Sequence, residues 1–166
     1  MIYAGRGLWS EAARLEARAP DSTLQRERLA FMSFQAGDYA TAHRLYAELA
    51  TGDGSTKMAF NNGVTLALLG NDEAAIGAYR QALEAEPGHS QALLFLGNAL
   101  LRLGREKEAV ETYLRYLADN SRGEAAERVR RIVRQVAPDA LPAETAPVPP
   151  PPTADDAAPK GEGAGA

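Results

Sequence analysis

Apolar side chains return every three or four positions through most of residues 7–136, the period of one helix face. The clearest case is 123–136, where Ala126, Val129, Ile132, Val133 and Val136 share one face and Arg128, Arg130, Arg131 and Arg134 lie opposite. Glu124 with Arg128 and Glu127 with Arg131 stand at i,i+4 spacing, which suits ion pairs along that helix. The same periodicity predicts helices at 23–36, 39–51, 56–69, 72–85, 90–103 and 106–119. Ser22-x-x-Gln25 and Ser121-x-x-Glu124 have capping-box spacing, and Asp38 and Asn71 are placed to cap the helices that follow them. Pro87 follows a predicted helix end, where a missing N–H does no harm.

The segments come in pairs, and the pairs repeat. A shift of 34 residues lays "GVTLALLGNDEAAIGAYRQAL" (63–83) over "GNALLRLGREKEAVETYLRYL" (97–117), matching Gly63 with Gly97, Gly70 with Gly104, Ala75 with Ala109 and Tyr79 with Tyr113. A third copy lies upstream in "LAFMSFQAGDYATAHRLYAEL" (29–49), where Gly37, Ala42 and Tyr46 take the places of Gly70, Ala75 and Tyr79. Before it, "GLWSEAARLEARA" (7–19) reads as the second helix of a further copy whose first helix is absent. This divides the chain into a partial repeat at 1–22, units at 23–55, 56–89 and 90–122, a closing helix at 123–137 and a tail at 138–166.

A helix–turn–helix unit of this length and pattern resembles the tetratricopeptide repeat (TPR). Counted from Thr23, Thr56 and Ser90, the small residue of the eighth place is Ala30, Gly63 and Gly97, and the glycine between the helices is Gly37, Gly70 and Gly104. The alanine of the twentieth place is Ala42, Ala75 and Ala109, with Tyr46, Tyr79 and Tyr113 four later. The signature tryptophan is replaced by Arg26, Ala59 and Leu93, and Pro87 is the closing proline of one unit alone. The resemblance implies an all-α fold, a right-handed α-α superhelix of about three and a half units with a C-terminal capping helix. Glycine inside a helix costs roughly 1 kcal/mol relative to alanine, so Gly63 and Gly97 need a reason. The expected one is a close helix crossing, where a side chain would collide near Ala75 or Ala109. Gly70 and Gly104 are expected to end first helices with positive φ. The tyrosines are expected to fill the space between units, their hydroxyls reaching the rim.

In this family the first helices line a concave groove. The corresponding positions here are Leu24, Arg28, Phe31 and Gln35; Lys57, Asn61, Val64 and Leu68; and Gln91, Phe95, Asn98 and Arg102. The alternative for each is packing against the neighbouring unit. Amides on such a face can pair with a peptide backbone, and Arg28, Lys57 and Arg102 suit acidic or C-terminal carboxylate groups. The pattern of the subset that clamps chaperone C-termini is matched at Asn61 alone; Glu27, Phe31, Gln91 and Phe95 occupy its other places.

Charge and composition narrow the classes. Residues 1–137 hold 17 basic and 17 acidic residues, so the whole net charge of −4 lies in the tail. A neutral repeat region argues against a general nucleic-acid binder, which needs a basic face. Cysteine is absent, which removes disulfide and thiolate chemistry. His43 and His89 form no zinc-ligand spacing and read as surface or cap residues. "TGDGSTK" (51–57) departs from the phosphate-loop pattern and reads as a turn. These residues form no nucleophile–base set, so no catalytic, metal or cofactor site is expected. No apolar run approaches the ~18 residues of a membrane span, and the start lacks the apolar stretch of a secretory signal. The expected location is the cytoplasm, or the periplasm or a membrane surface if the N-terminus has been shortened. Fifteen arginines against three lysines, with abundant alanine, hint at a GC-rich bacterial genome.

The tail carries eight of ten prolines and is expected to be disordered, with "PVPPPP" (147–152) in polyproline II as a spacer or an SH3- or WW-type ligand. The arginines of 123–136 admit a solenoid cap or a basic helix for RNA or anionic lipid. The expected function is a non-catalytic adaptor that holds a peptide or protein segment in its groove. Self-association through the unpaired N-terminal helix, which carries the sole tryptophan Trp9, is one alternative. Membership of a larger enzyme or export machine is the other.

Overall fold

The computed structural model describes residues 2–17, 22–51 and 55–142. They form eight helices, α1 (Ile2–Glu16), α2 (Thr23–Ala36), α3 (Tyr39–Leu49), α4 (Ser55–Leu68), α5 (Asp72–Ala85), α6 (Ser90–Arg102), α7 (Glu106–Asp119) and α8 (Glu124–Val136), with no strand among the described residues. Each helix packs on the one before and the one after, giving an all-α solenoid. The N-terminal helix starts and stops earlier than the 7–19 expected from its pattern.

The helix ends show local sequence at work. Ser22, Asp38 and Asn71 accept from the backbone N–H three residues on, at 3.2, 3.2 and 3.1 Å. The Ser22 box is one-sided, because the Gln25 side chain turns away and donates to the carbonyl of Glu16 instead. Ser121 does not cap α8 at all: Gly123, at φ +97°, precedes the helix, and the Ser121 carbonyl accepts from Arg130. His89 caps α6 through Nδ1, which accepts from the Ala92 N–H at 3.1 Å. Gly37, Gly70 and Gly104 all have φ between 71° and 84°. At Gly70 the crossed pair of bonds, Gly70 N–H to Ala67 and Asn71 N–H to Leu66, closes α4 in the left-handed turn that a Cβ would strain.

The notch at Gly63 and Gly97 has a different occupant from the one expected. A Cβ on either glycine would lie 2.5 Å from ring carbons of Tyr79 or Tyr113, not against Ala75 or Ala109. The tyrosine of the second helix lies flat across the first helix of its own unit, and glycine is what admits it. Tyr79 then meets Phe60 of its own unit and Phe95 of the next, at 6.0 and 6.1 Å between ring centres, so it spans the junction as well. The hydroxyls do not behave alike. Tyr113 donates to Asn98 Oδ1 at 2.7 Å, whereas the Tyr79 hydroxyl is buried without a partner. The ninth place explains this, being Asn98 in one unit and Val64 in the other.

Stacking joins the units into one core running from Ala30 to Val133. Polar ties cross the junctions between the three full units: His43 with Asn62 at 2.7 Å, Gln81 to the Ala50 carbonyl at 3.1 Å, and Arg80 with Glu108 at 2.7 Å. At the far end α8 buries Ala126, Val129 and Val133 and keeps Arg128 and Arg131 exposed, the geometry of a cap. Its expected i,i+4 pairs do not form; Glu127 takes Arg130 at i,i+3. Pro138–Ala140 make a short 3-10 turn and Leu141 packs against the core, so order extends past the expected start of the tail. The rest of the tail, with "PVPPPP", lies outside the described residues.

Candidate functional site

The positions expected to line the groove all lie at the surface of α2, α4 and α6. Leu24, Arg28, Phe31, Gln35, Lys57, Leu68, Gln91, Phe95 and Arg102 are exposed, and Asn61, Val64 and Asn98 are half-buried. No large residue among them is fully packed away. Phe31 and Leu68 each keep about half their surface open, at 47% and 52%, so neighbour packing does not account for them.

Their side chains are not equally free. Arg102 donates through Nε to Asp72 Oδ2 at 2.9 Å and through Nη2 to Oδ1, a two-pronged pair across the junction with α5. The guanidinium holds the Asp72 carboxyl below its ordinary pKa. Arg28 pairs with Glu16 of α1 at 2.8 Å. Asn98 is bound to Tyr113. Lys57, by contrast, has no ion-pair partner among the described residues, and the Asn61 amide makes no side-chain hydrogen bond there.

Two cavities, about 210 and 310 Å³, open between α2 and α4 and share Phe31, Tyr46, Lys57 and Asn61. The smaller continues past Leu24, Glu27, Arg28 and Met58; the larger is closed by Phe34 and Val64. Tyr46 is the residue that reasoning from the first helices missed. Its unit has Ala30 where the others have glycine, so no glycine notch receives its ring. Tyr46 instead walls both cavities, and burial pushes its hydroxyl up to about 12. Trp9 of α1 was also missed as a groove neighbour. Its ring meets Phe31 edge to face at 5.8 Å, so α1 extends the apolar side of this end. Between α4 and α6 the space is taken by rings: Phe60 and Phe95 are 5.5 Å apart and His89 lies 5.2 Å from Phe60.

The tetratricopeptide repeat model matches residues 33–88 and again 69–125, together more than half of the chain. The chain belongs to the tetratricopeptide repeat family. The fold is shared with several solved TPR structures. The first TPR of Spaghetti (RPAP3), bound to the HSP90 peptide SRMEEVD, is 21% identical, with TM-score 0.60 over 69% of this chain and 95% of that one. The TPR2B domain of yeast Sti1, in complex with pHsp70, is 20% identical, with TM-score 0.57 over 79% and 98%. MamA of MSR-1 is 22% identical, with TM-score 0.64 over 84% of each chain. Curated proteins contain no match.

Other surfaces of this TPR chain offer less. A cavity of about 380 Å³ lies where α5, α6 and α7 meet, but Arg80 and Glu108 on its wall pair with each other. Among the described residues no group of His, Asp and Glu is placed to hold a metal ion, and no helix is long and apolar enough to cross a membrane.

Proposed function

We propose that this TPR chain is a non-catalytic adaptor whose concave face binds an extended peptide or protein segment. The observation that carries this reading is the row on α2 and α4, where a lysine and an amide without side-chain partners among the described residues, and the exposed Phe31, border two neighbouring cavities. Fold relatives captured with HSP90 and Hsp70 ligands support the same class of role. The chaperone-clamp residues are mostly absent here, so the ligand differs from theirs.

The test is affinity capture with mass spectrometry, comparing wild type with Lys57→Ala/Asn61→Ala. Both side chains lack protein partners, so the fold is expected to be unaffected. The proposal predicts specific partners that the double variant loses; equal recovery by a folded variant overturns the groove model. A second reading, self-association, draws on Leu8 and Leu15, seven residues apart and largely exposed on α1. Light scattering that finds only monomer at high concentration removes it.

A further inference from the structure

The larger cavity between α2 and α4 combines an apolar wall of Phe31, Phe34 and Val64 with three polar groups that have no partner among the described residues: the Lys57 ammonium, the Asn61 amide and the Tyr46 hydroxyl. No acid among the described residues lines it. The smaller cavity beyond Phe31 does contain one, Glu27. Lys57 and Asn61 border both cavities, so a ligand carboxylate meets Lys57 most favourably from the larger one, where no described acid opposes it. The other cations of the face are already neutralised, Arg28 by Glu16 and Arg102 by Asp72.

Resting on the groove as the binding surface, we propose that its α2–α4 end selects an internal peptide segment carrying a large apolar residue and, two positions away, Asp or Glu. The spacing follows from geometry. Lys57 and Val64 are two turns apart on α4, about 10 Å. Side chains i and i+2 of an extended segment project from the same face about 7 Å apart. The apolar side chain fills the space beside Phe34 and Val64, the carboxylate meets Lys57, and the Asn61 amide pairs with the backbone between them. An internal segment is favoured over a chain end because the two cavities share Phe31, Lys57 and Asn61 on their walls, so a chain seated in one has space to run on toward the other.

The test uses the full chain and four short probes blocked at the N-terminus. Three are C-terminally amidated and carry Phe-Ser-Asp, Phe-Ser-Asn or Ala-Ser-Asp between Gly-Ser flanks. The fourth ends in Phe with a free carboxylate. Trp9, the sole tryptophan and in contact with Phe31, reports affinity by fluorescence, and ¹H–¹⁵N spectra report location. Phe-Ser-Asp is expected to bind about fivefold to tenfold more tightly than Phe-Ser-Asn, the scale of one partly exposed charge-assisted bond. Lys57→Gln is expected to bring that ratio to about one with an unchanged melting temperature, and Ala-Ser-Asp to bind more weakly than Phe-Ser-Asp. Equal affinity for Asp and Asn probes, with shifts at Lys57, Asn61 and Val64, overturns this inference and leaves the groove standing. Shifts confined to the outer faces of α5 and α7 overturn the groove as well. Tightest binding by the free-carboxylate probe overturns the choice of an internal segment, and no binding by any probe at millimolar concentration overturns the inference outright.

Discussion

Between α4 and α6, Phe60, Tyr79 and Phe95 bring three rings to within 5.5–6.1 Å of one another, Asn98 holds Tyr113, and Asp72 holds Arg102. Between α2 and α4 the places of Phe60, Tyr79 and Phe95 carry Glu27, Tyr46 and Asn61, and two cavities border Phe31. The same repeat has been used for two ends. Two aromatic places separate them: Phe60 and Phe95 surround Tyr79, whereas Glu27 and Asn61 leave cavities beside Tyr46, which is itself buried. Rings packed on one another stabilise; a junction with open space and, among the described residues, an unpaired lysine and amide leaves interaction capacity for something else.

The sharpest way to break this comparison is to remove each tyrosine. Tyr79→Ala is expected to cost about 3–5 kcal/mol, as for other large aromatic truncations in a packed core. Tyr46→Ala is expected to cost clearly less, because the residue lines two existing cavities. Urea midpoints of the two variants decide it, and equal losses would mean that both ends are equally packed.

A smaller effect is expected at the amides. Asn98→Ala leaves the Tyr113 hydroxyl, buried between α6 and α7, without its acceptor and is expected to cost about 1–3 kcal/mol. Asn61→Ala removes no protein hydrogen bond and is expected to stay within about 0.5 kcal/mol of wild type. Thermal melts of the pair check whether the two asparagines differ in role as their surroundings do.

The smallest effect concerns pH. The Asp72 carboxyl is held below its ordinary value, first by the hydrogen bond from Arg102. Its folded pKa is lower than its unfolded one, so the pair's contribution is present above the unfolded carboxylate range and is lost as pH falls through the lowered folded value. The Arg102 side chain is half exposed to solvent, which limits the pair to under about 1 kcal/mol. The stability difference between wild type and Asp72→Asn is therefore expected at neutral pH and to vanish at strongly acid pH. A difference that persists in acid would mean that Asn disturbs packing instead.

Much of the fold was legible because its signals are local. Asp38 and Asn71 cap helices by reaching three residues along the backbone, and Gly70 ends one by its own φ. The repeat multiplied these signals at a fixed offset. Ser121 shows the limit of such reading: its spacing to Glu124 is that of a cap, yet Gly123 takes the position and leaves the serine outside. Gly63 shows another. That something passes close to it could be argued from a helix-interior glycine, but Tyr79 rather than Ala75 is what passes, and only the crossing of α4 and α5 reveals that. For the proposed groove, position along the first helices named Lys57 and Asn61. It said nothing of Tyr46 or Trp9, which come from second helices and reach the site through packing.

By itself the sequence determined the period, the helix pairs, the turns and the family, since each depends on neighbours no more than one unit away. Which polar groups on the concave face remain available was decided by the tertiary structure alone. Arg102 and Lys57 look equivalent as isolated cations on first helices; Asp72 reaches one across a junction and no described acid reaches the other. That distinction depends on where a side chain some thirty residues away comes to rest, which no local pattern encodes.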